Sequence, residues 1–534
     1  MTNGVREKKR ILMLGAGFMQ GVAIRSARAH GWHVVAVDGN PDAICRGIAD
    51  RFEPVDLKDR DGLIALALSL KASGGLDGVF TAATDFSASV AAVAEACGLP
   101  GHSLEAALNA SDKLRMRECF RRSSVPSPAF VGVDETGRGG ILSVLAEKGI
   151  GFPVVVKPVD NMGARGCRKV DSSRDLDSAI SDAIRYSRTG QAIVEEYMEG
   201  PEFSVEALVY DGEIHMTGFA DRHIFFPPYF IEMGHTIPTG LPEDAIDSLI
   251  SVFKDGVRAL GLSHGAAKGD IKLTSKGPMI GEIAGRLSGG YMSGWTFPYS
   301  SGIDLTGAAL ELAVGLRPSS LVSPLSLVSA ERAWISIPGT VASVSGYDAA
   351  RSVPFVRDVF PRAVPGDPVF FPVNNVEKCG NCLAVAPDRA QAIRAAEAAC
   401  RSVCIRLESP NDRTDAFLAE GPTGLPAFPP DAFTLPSNVY PLKPVFCPMP
   451  APATVGKTVG VAILIPESII PFFDTVYDWQ GRTIREALDG AVAAEPGLLE
   501  VLSENEKKDP IPYWNALLRG GIQGIVYTYD RDHR

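Results

Sequence analysis

The 534-residue chain has no apolar run long enough to span a bilayer, no block of lysines and arginines, and no regular cysteine spacing. The first absence excludes a transmembrane helix, which needs about 20 consecutive apolar residues. Near the amino terminus, Ile11 to Leu14 is only a strand-length apolar run and not a secretory core, so the expected location is the cytoplasm. A net charge of −11 without interleaved basic and aromatic residues argues against nucleic acid as a partner. It leaves phosphorylated small molecules open. The nine cysteines, an odd number, carry no disulfide framework. Cys379-Gly-Asn-Cys382 has the spacing of a zinc-binding pair that Cys400 and Cys404 could complete. The competing reading is of buried thiols behaving as small hydrophobes.

With 46% hydrophobic residues the chain can fill two to four packed domains. Residues 10 to 100 alternate apolar strands (Ile11 to Leu14, Val34 to Asp38, Gly78 to Ala82) with Ala-rich helical runs, the pattern of an open parallel α/β unit. Its first turn, Gly15-Ala-Gly17-Phe-Met-Gln-Gly21, with Asp38 ending the second strand, is similar to a dinucleotide fingerprint whose third glycine comes one residue late. A turn that merely tightens a strand-helix junction explains it equally. Ser111 is the expected N-cap of the next helix, and helices are expected near Ser172 to Arg188 and Pro242 to Leu260. Residues 331 to 408 read as a further α/β piece, with a helix over Arg389 to Arg401. Pro422 to Pro452 reads as a linker or a surface strap. The tail reads as a strand (Val459 to Ile465), a helix (Thr483 to Glu504) and a last strand (Ile522 to Tyr527). Gly456-Lys-Thr458 ends like a phosphate loop, but a strand follows where the helix should begin.

The most informative segment runs from His264 to Arg286. Two short strands joined by a Ser-Lys-Gly-Pro turn bring Asp270 and Glu282 face to face. Like charges placed opposite on a sheet repel, and a shared divalent cation such as Mg²⁺, with its preference for hard oxygen ligands, resolves the repulsion. Two unrelated surface acids on a solvated hairpin is the other reading. Upstream, Gly151 to Lys157 is a buried strand ending in a lysine, followed by a glycine turn, Gly163-Ala164-Arg165-Gly166. Such a pair offers an ammonium and backbone N–H groups to phosphate oxygens. Ala192 to Glu206 then supplies a strand with acids and an exposed backbone stretch.

In this order the elements resemble the ATP-grasp superfamily of carboxylate-amine ligases, close to amino-acid ligases and the carbamoyl-phosphate-synthase large chain. The resemblance covers residues 10 to about 408. It implies a mixed α/β fold: a Rossmann-like preATP-grasp domain (1–110), a two-lobed ATP-grasp domain (111–330) and an associated subdomain (331–410). A Pro-rich linker (411–458) and a C-terminal α/β extension (459–534) follow. It further implies ATP and Mg²⁺ as cofactors. Lys113 and Lys157 fall on the phosphate-contacting lysines, and Gly163 to Gly166 on the loop over the phosphates. Glu195, Tyr197 and Met198 fall on the adenine-holding segment and Glu202 on the ribose ligand. Asp270 and Glu282 fall on the metal ligands, and Arg286 on the arginine that steadies the transferred phosphoryl group and acyl phosphate. The chain departs at Glu282-Ile-Ala284-Gly-Arg286, where the family carries Glu-x-Asn-x-Arg. The hairpin register sets Lys268 opposite Ala284, a cation where an amide is expected.

Acceptor-binding candidates are Asp85 at a strand end, Arg222, Glu232 and His235 among aromatics, Lys268, and Ser288, Gly289 and Tyr291 in a glycine-rich loop. Tyr291 and Trp295 read equally as core aromatics. The expected activity is ADP-forming ligation of a small-molecule carboxylate to an amine through an acyl phosphate, with dimerisation left open. A bicarbonate-activating carboxylase is the alternative, weakened by the lack of a Met-Lys-Met triplet. A non-catalytic nucleotide-binding protein and an NAD-dependent oxidoreductase are the others.

Overall fold

Valine- and leucine-rich runs at the start of the chain form four short parallel strands, β1 (Arg10–Leu14), β2 (His33–Val37), β3 (Arg51–Glu53) and β4 (Gly78–Phe80), in the order β3-β2-β1-β4. Ile11 to Leu14 and Val34 to Val37 are fully buried, as expected for a parallel sheet covered on both faces. The computed structural model describes residues 8–450, 462–503 and 509–533. The chain divides into two compact units: Met1–Ile224, Gly234–Ala330 and Val385–Arg389 form one, and Phe225–Met233, Glu331–Ala384 and Ala390–Arg534 the other.

In the first unit the turn after β1 is closed from within. Asp38 accepts from the Ala16 N–H at 2.9 Å and the Gly15 N–H donates to Val37 O at 2.7 Å. The acid that would take a ribose in a dinucleotide site is therefore committed to the turn. A second sheet, antiparallel in the order β5-β8-β6-β7, holds β5 (Phe130–Asp134), β6 (Val154–Pro158), β7 (Arg168–Val170) and β8 (Gln191–Glu196). A third runs β13-β12-β9-β10-β11, from β9 (Glu202–Tyr210), β10 (Glu213–Phe225), β11 (Ile231–Ile237), β12 (Gly265–Thr274) and β13 (Gly277–Ala284). The hairpin register is the expected one: Asp270 pairs with Glu282, Lys268 with Ala284, and Thr274 with Gly277. Past Asp270 the register jumps to Ile271 opposite Ile280, so Gly281 is the extra residue of a bulge.

The start of β12 is pinned by a buried histidine. His102 Nδ1 accepts the N–H groups of Ser263 and His264, each at 3.2 Å, and Nε2 lies 3.0 Å from Ala266 O. Two donors on Nδ1 place the single proton of a neutral ring on Nε2. One helix start differs from expectation. Asp112, not Ser111, caps Lys113–Arg122, accepting from Leu114 and Arg115 N–H, while Ser111 ends the preceding helix Leu104–Ser111. The carboxylate reaches the first free N–H groups while the serine backbone is still helical.

In the second unit β15 (Gly339–Ser345) pairs with β17 (Pro368–Val369) and β19 (Cys404–Leu407), and β16 (Val356–Pro361) pairs with β18 (Gly380–Ala386), following β14 (Val328–Trp334) in sequence. Cys379, Cys382 and Cys400 lie in its apolar core beside Trp334 and Ile337. The Cys400 thiol donates to Arg332 O at 3.3 Å, and burial pushes the Cys379 thiol up to about 12. The Pro-rich stretch is not a linker. Ala432, Phe433, Leu435 and Val439 are buried in a second core cluster, and β20 (Phe446–Pro450) pairs with β21 (Ala462–Pro466).

The tail departs furthest from its reading. Ile522 to Tyr527 is not a strand but part of the helical segment Ile511–His533, which is kinked at Gly521, where φ is 62°. The segment Thr483 to Glu504 is two helices, Ile484–Ala494 and Leu498–Val501, broken where Pro496 cannot continue the first. Gly456-Lys-Thr458 lies outside the described residues. The cavity between Trp334, Trp479, Cys404 and Gln523, about 40 Å³, has room for a few waters but not for a nucleotide.

Candidate functional site

The first unit gathers charge on one face of its third sheet. Side chains at alternate positions share a face, so the β13-β12-β9 register builds rows. Ala284, Lys268 and Glu206 form one, and Glu282, Asp270 and Ser204 the next. Lys272, Glu202 and Arg222 form a third, running from β12 through β9 to β10. Acid and base alternate across the grid. Arg222 contacts Glu202 and lies 3.1 Å from Asp270, while Lys272 is 3.5 Å from Glu202 and donates to Met198 O at 3.2 Å. Asp270 also takes Lys268 Nζ, and the Ser204 hydroxyl at 2.9 Å.

Lys113 enters from the first turn of its helix, 4% exposed, with Nζ 3.5 Å from Glu282 and donating to Asn161 O at 2.9 Å. It thereby links the second metal-ligand candidate to the glycine turn. Burial would depress the Lys113 ammonium, but Glu282 and Asp85 hold it above its ordinary value. Burial likewise works to raise the Glu282 carboxyl, and Lys113 and Lys157 overcome it, so the group stays ionised below the usual range. In the turn itself Gly163, Ala164 and Gly166 all have positive φ (68°, 60° and 68°), and Arg165 Nε donates to Met162 O at 3.1 Å. Cys167 just beyond is pushed up to about 11 by burial, despite Lys157 and Lys113.

On the second sheet, Lys157 on β6 reaches Glu195 on β8 at 2.7 Å. The other carboxylate oxygen accepts from Arg117 Nε at 2.8 Å, and Arg117 Nη2 donates to the bulge carbonyl of Gly281 at 2.6 Å. Despite its burial, Glu195 is kept below the ordinary range by Arg117 and Lys157. Arg117 is fully buried and was not anticipated, although it lies one helical turn after Lys113 beside Met116 and Phe120 on the same buried face. Tyr197 stacks under two ammonium groups, Lys169 at 4.9 Å and Lys272 at 5.5 Å.

A second unanticipated residue is Glu206. It is fully buried and accepts from Ser288 N–H at 2.7 Å and from the Ser293 hydroxyl, so it anchors the glycine-rich loop. Burial raises its carboxyl, with Ser293, Ser288, Lys268 and His235 acting in the opposite direction. Within that loop Tyr291 has φ of 65° and packs edge-on against Trp295 at 5.3 Å, both of them buried, and a side chain at Gly289 would meet Ala83 O at 3.6 Å. Asp85 is raised by burial and opposed by Arg286 and Lys113. Arg286 Nη1 donates to Leu287 O at 3.1 Å, whereas its buried Nε has no hydrogen-bond partner among the described residues. Glu232 belongs to the second unit, where Asn375 takes its N–H at 2.8 Å and Lys378 binds its carbonyl at 2.7 Å.

Among the described residues no group of three or more His, Cys, Asp and Glu is placed to hold a metal. Two facing carboxylates nevertheless suit Mg²⁺, which takes one or two carboxylates and completes its shell with phosphate oxygens and water. Likewise, the orphaned Arg286 Nε suits an anionic oxygen.

Residues 150–294 match the ATP-grasp domain, and residues 333–408 match the L-amino acid ligase C-terminal domain 2. The chain carries an ATP-grasp domain followed by an L-amino-acid-ligase-type C-terminal domain. An uncharacterized protein y4rH of Sinorhizobium fredii is 27% identical over 388 residues, 71% of this chain and 78% of its own. Carnosine synthase 1 of Gallus gallus is 29% identical over 334 residues, which is 58% of this chain but only 36% of that protein. The fold matches the crystal structure of L-amino acid ligase from Bacillus licheniformis with a TM-score of 0.67 at 19% identity, covering 75% of this chain and 99% of the other. No helix among the described residues is long and apolar enough to cross a membrane.

Proposed function

We propose that this chain is an ATP-grasp ligase, an ADP-forming enzyme that joins an amino acid or a related carboxylate to an amine. A carboxylate oxygen attacks the γ-phosphorus, the bond to the ADP oxygen breaks, and an acyl phosphate results. The amine lone pair then attacks the acyl carbon, phosphate leaves, and the nitrogen gives up a proton. The observation that carries this reading is the Asp270–Glu282 pair set in register beneath Lys113. When bound, Mg²⁺ would neutralise phosphate oxygens between these two carboxylates.

The chain's own groups take the remaining roles. Lys113 and Lys157 hold the phosphates, the turn from Gly163 to Gly166 covers them with backbone N–H groups, and Arg286 offers Nε and its charge to the transferred phosphoryl group. On the adenine side, the backbone of Tyr197 and Met198 meets the ring edge, while Glu195 fixes Lys157 in place. Glu202, steadied by Lys272, accepts the ribose hydroxyls. Glu206 positions the loop of Ser288, Gly289 and Tyr291, which with Asp85 and His235 shapes the acceptor pocket. Arg222 serves as counter-ion to Glu202 and Asp270 rather than as an acceptor anchor. The amino-acid class is supported by the ligase-type domain at 333–408.

Phosphate and ADP release measured over a panel of amino-acid and amine pairs tests the proposal. The expected result is pair-dependent turnover that Glu282→Gln abolishes. No turnover with any pair, together with ATP binding that survives, would leave a nucleotide-binding protein and refute the ligase.

A further inference from the structure

The row that departs from the family pattern is also the one that carries an unusual cation. At 284, a position two residues beyond Glu282 on the same strand face, the chain has Ala, which offers no metal ligand. Directly across the ladder stands Lys268, flanked on its other side by Glu206. Its side chain is only 12% exposed, and its ammonium contacts Asp270 in the adjoining row. Lys268 also acts electrostatically on Glu282 and on Glu206. A methyl group on β13 and an ammonium on β12 therefore face each other beside the row of Glu282 and Asp270, and neither offers a ligand to a second ion.

We propose that Lys268 is a fixed cation standing in for a second divalent metal, so that the nucleotide site takes a single ion, between Asp270 and Glu282. The inference rests on the nucleotide-site reading given above. Its physical logic is charge balance. Phosphate groups brought against Asp270 and Glu282 need positive charge, and a lysine built into the strand supplies it without demanding ligands that Ala284 cannot offer. A second divalent ion at this place would lie against the ammonium, and like charges repel more strongly in a partly desolvated site than in water.

Mn²⁺ binding provides the test. In the presence of a saturating non-hydrolysable ATP analogue, loss of the free-Mn²⁺ signal in electron paramagnetic resonance counts bound ions, and two ions about 3.5–4 Å apart give a spin-coupled spectrum. Wild type is expected to bind one uncoupled ion. The double variant Lys268→Met with Ala284→Asn, which keeps the stem's volume and restores the amide, is expected to bind two coupled ones. Two coupled ions in the wild type would overturn the inference and leave the nucleotide site standing. A double variant that still holds one would also overturn it, because the ammonium would not be what excludes the second ion. No Mn²⁺ bound by the wild type would bring down the nucleotide-site reading as well. Circular dichroism and analogue binding by the variant guard against a folding defect.

Discussion

Acid should unfasten the strand that carries Lys268 and Asp270, and His102 sets the pH at which this happens. Burial holds the His102 ring down at about 4 against an ordinary 6.5, because the site offers Nδ1 two donors and leaves no place for a second proton. Above pH 6.5 the ring is neutral in the folded and unfolded chain alike, and its contribution is fully present. As pH falls from 6.5 to 4 only the unfolded chain takes up the proton, so stability is lost; below 4 the loss is complete. At about 1.4 kcal/mol per pH unit the window corresponds to ~3 kcal/mol. Hydrogen exchange of the segment around Ser263 to Ala266, corrected for intrinsic rates, reads the effect locally, which suits a chain of two units that need not unfold together. Between pH 7 and 4.5 protection in the wild type should fall ~100-fold more than in His102→Gln, which cannot titrate. Affinity for an ATP analogue should drop over the same range in the wild type alone. Parallel pH trends in the two proteins would refute the reasoning.

Replacing Lys157 or Glu202 with alanine should each weaken ATP-analogue binding about 10- to 100-fold, the loss of one charge-assisted contact, while circular dichroism is unchanged; unaltered affinity in both would misplace the nucleotide. Mg²⁺ with the analogue should raise the melting temperature of the wild type, and Glu282→Gln should lose most of that rise in a thermal-shift assay. Arg117→Met should destabilise the first unit by about 3–5 kcal/mol in denaturant unfolding, because Glu195 would keep only Lys157 inside the core; a loss below 1 kcal/mol would mean that water already reaches the carboxylate.

What the chain reveals before folding is uneven, and the reasons are local. The Asp270–Glu282 register was legible because a short turn and period-two alternation leave few pairings open. The order of Lys113, Lys157, the glycine turn and the acids, on which the proposed nucleotide site rests, is likewise written along the chain. Arg117 was not legible: a buried arginine in Lys-Leu-Arg-Met-Arg-Glu looks like its exposed neighbours until Glu195, 78 residues away, supplies the partner. Glu206 was hidden in the same way, since Ser288 meets it only after the sheet forms. Ile522 to Tyr527 misled because a short segment whose apolar residues are Ile522, Ile525, Val526 and Tyr527 fits a strand as well as a helix. The wider spacing of Trp514, Leu517, Leu518, Ile522, Ile525 and Val526 is helical, and the paired glycines at 520 and 521 interrupt it.

That last helix has a consequence for how the protein is made. Tyr527 completes one core cluster of the second unit, Trp514, Leu517, Leu518 and Ile525 much of the other, and Arg406 is clasped by Asp530. All of these helix residues come later in the chain than Trp334, Ile337 and Phe433, with which they pack. The first unit draws on nothing beyond Arg389 and can mature while synthesis continues, but the second must wait with Trp334, Ile337 and Phe433 uncovered until the helix Ile511–His533 has emerged. A truncation before Ile511 would therefore yield a chain with one finished unit and one that exposes its interior to chaperones and proteases.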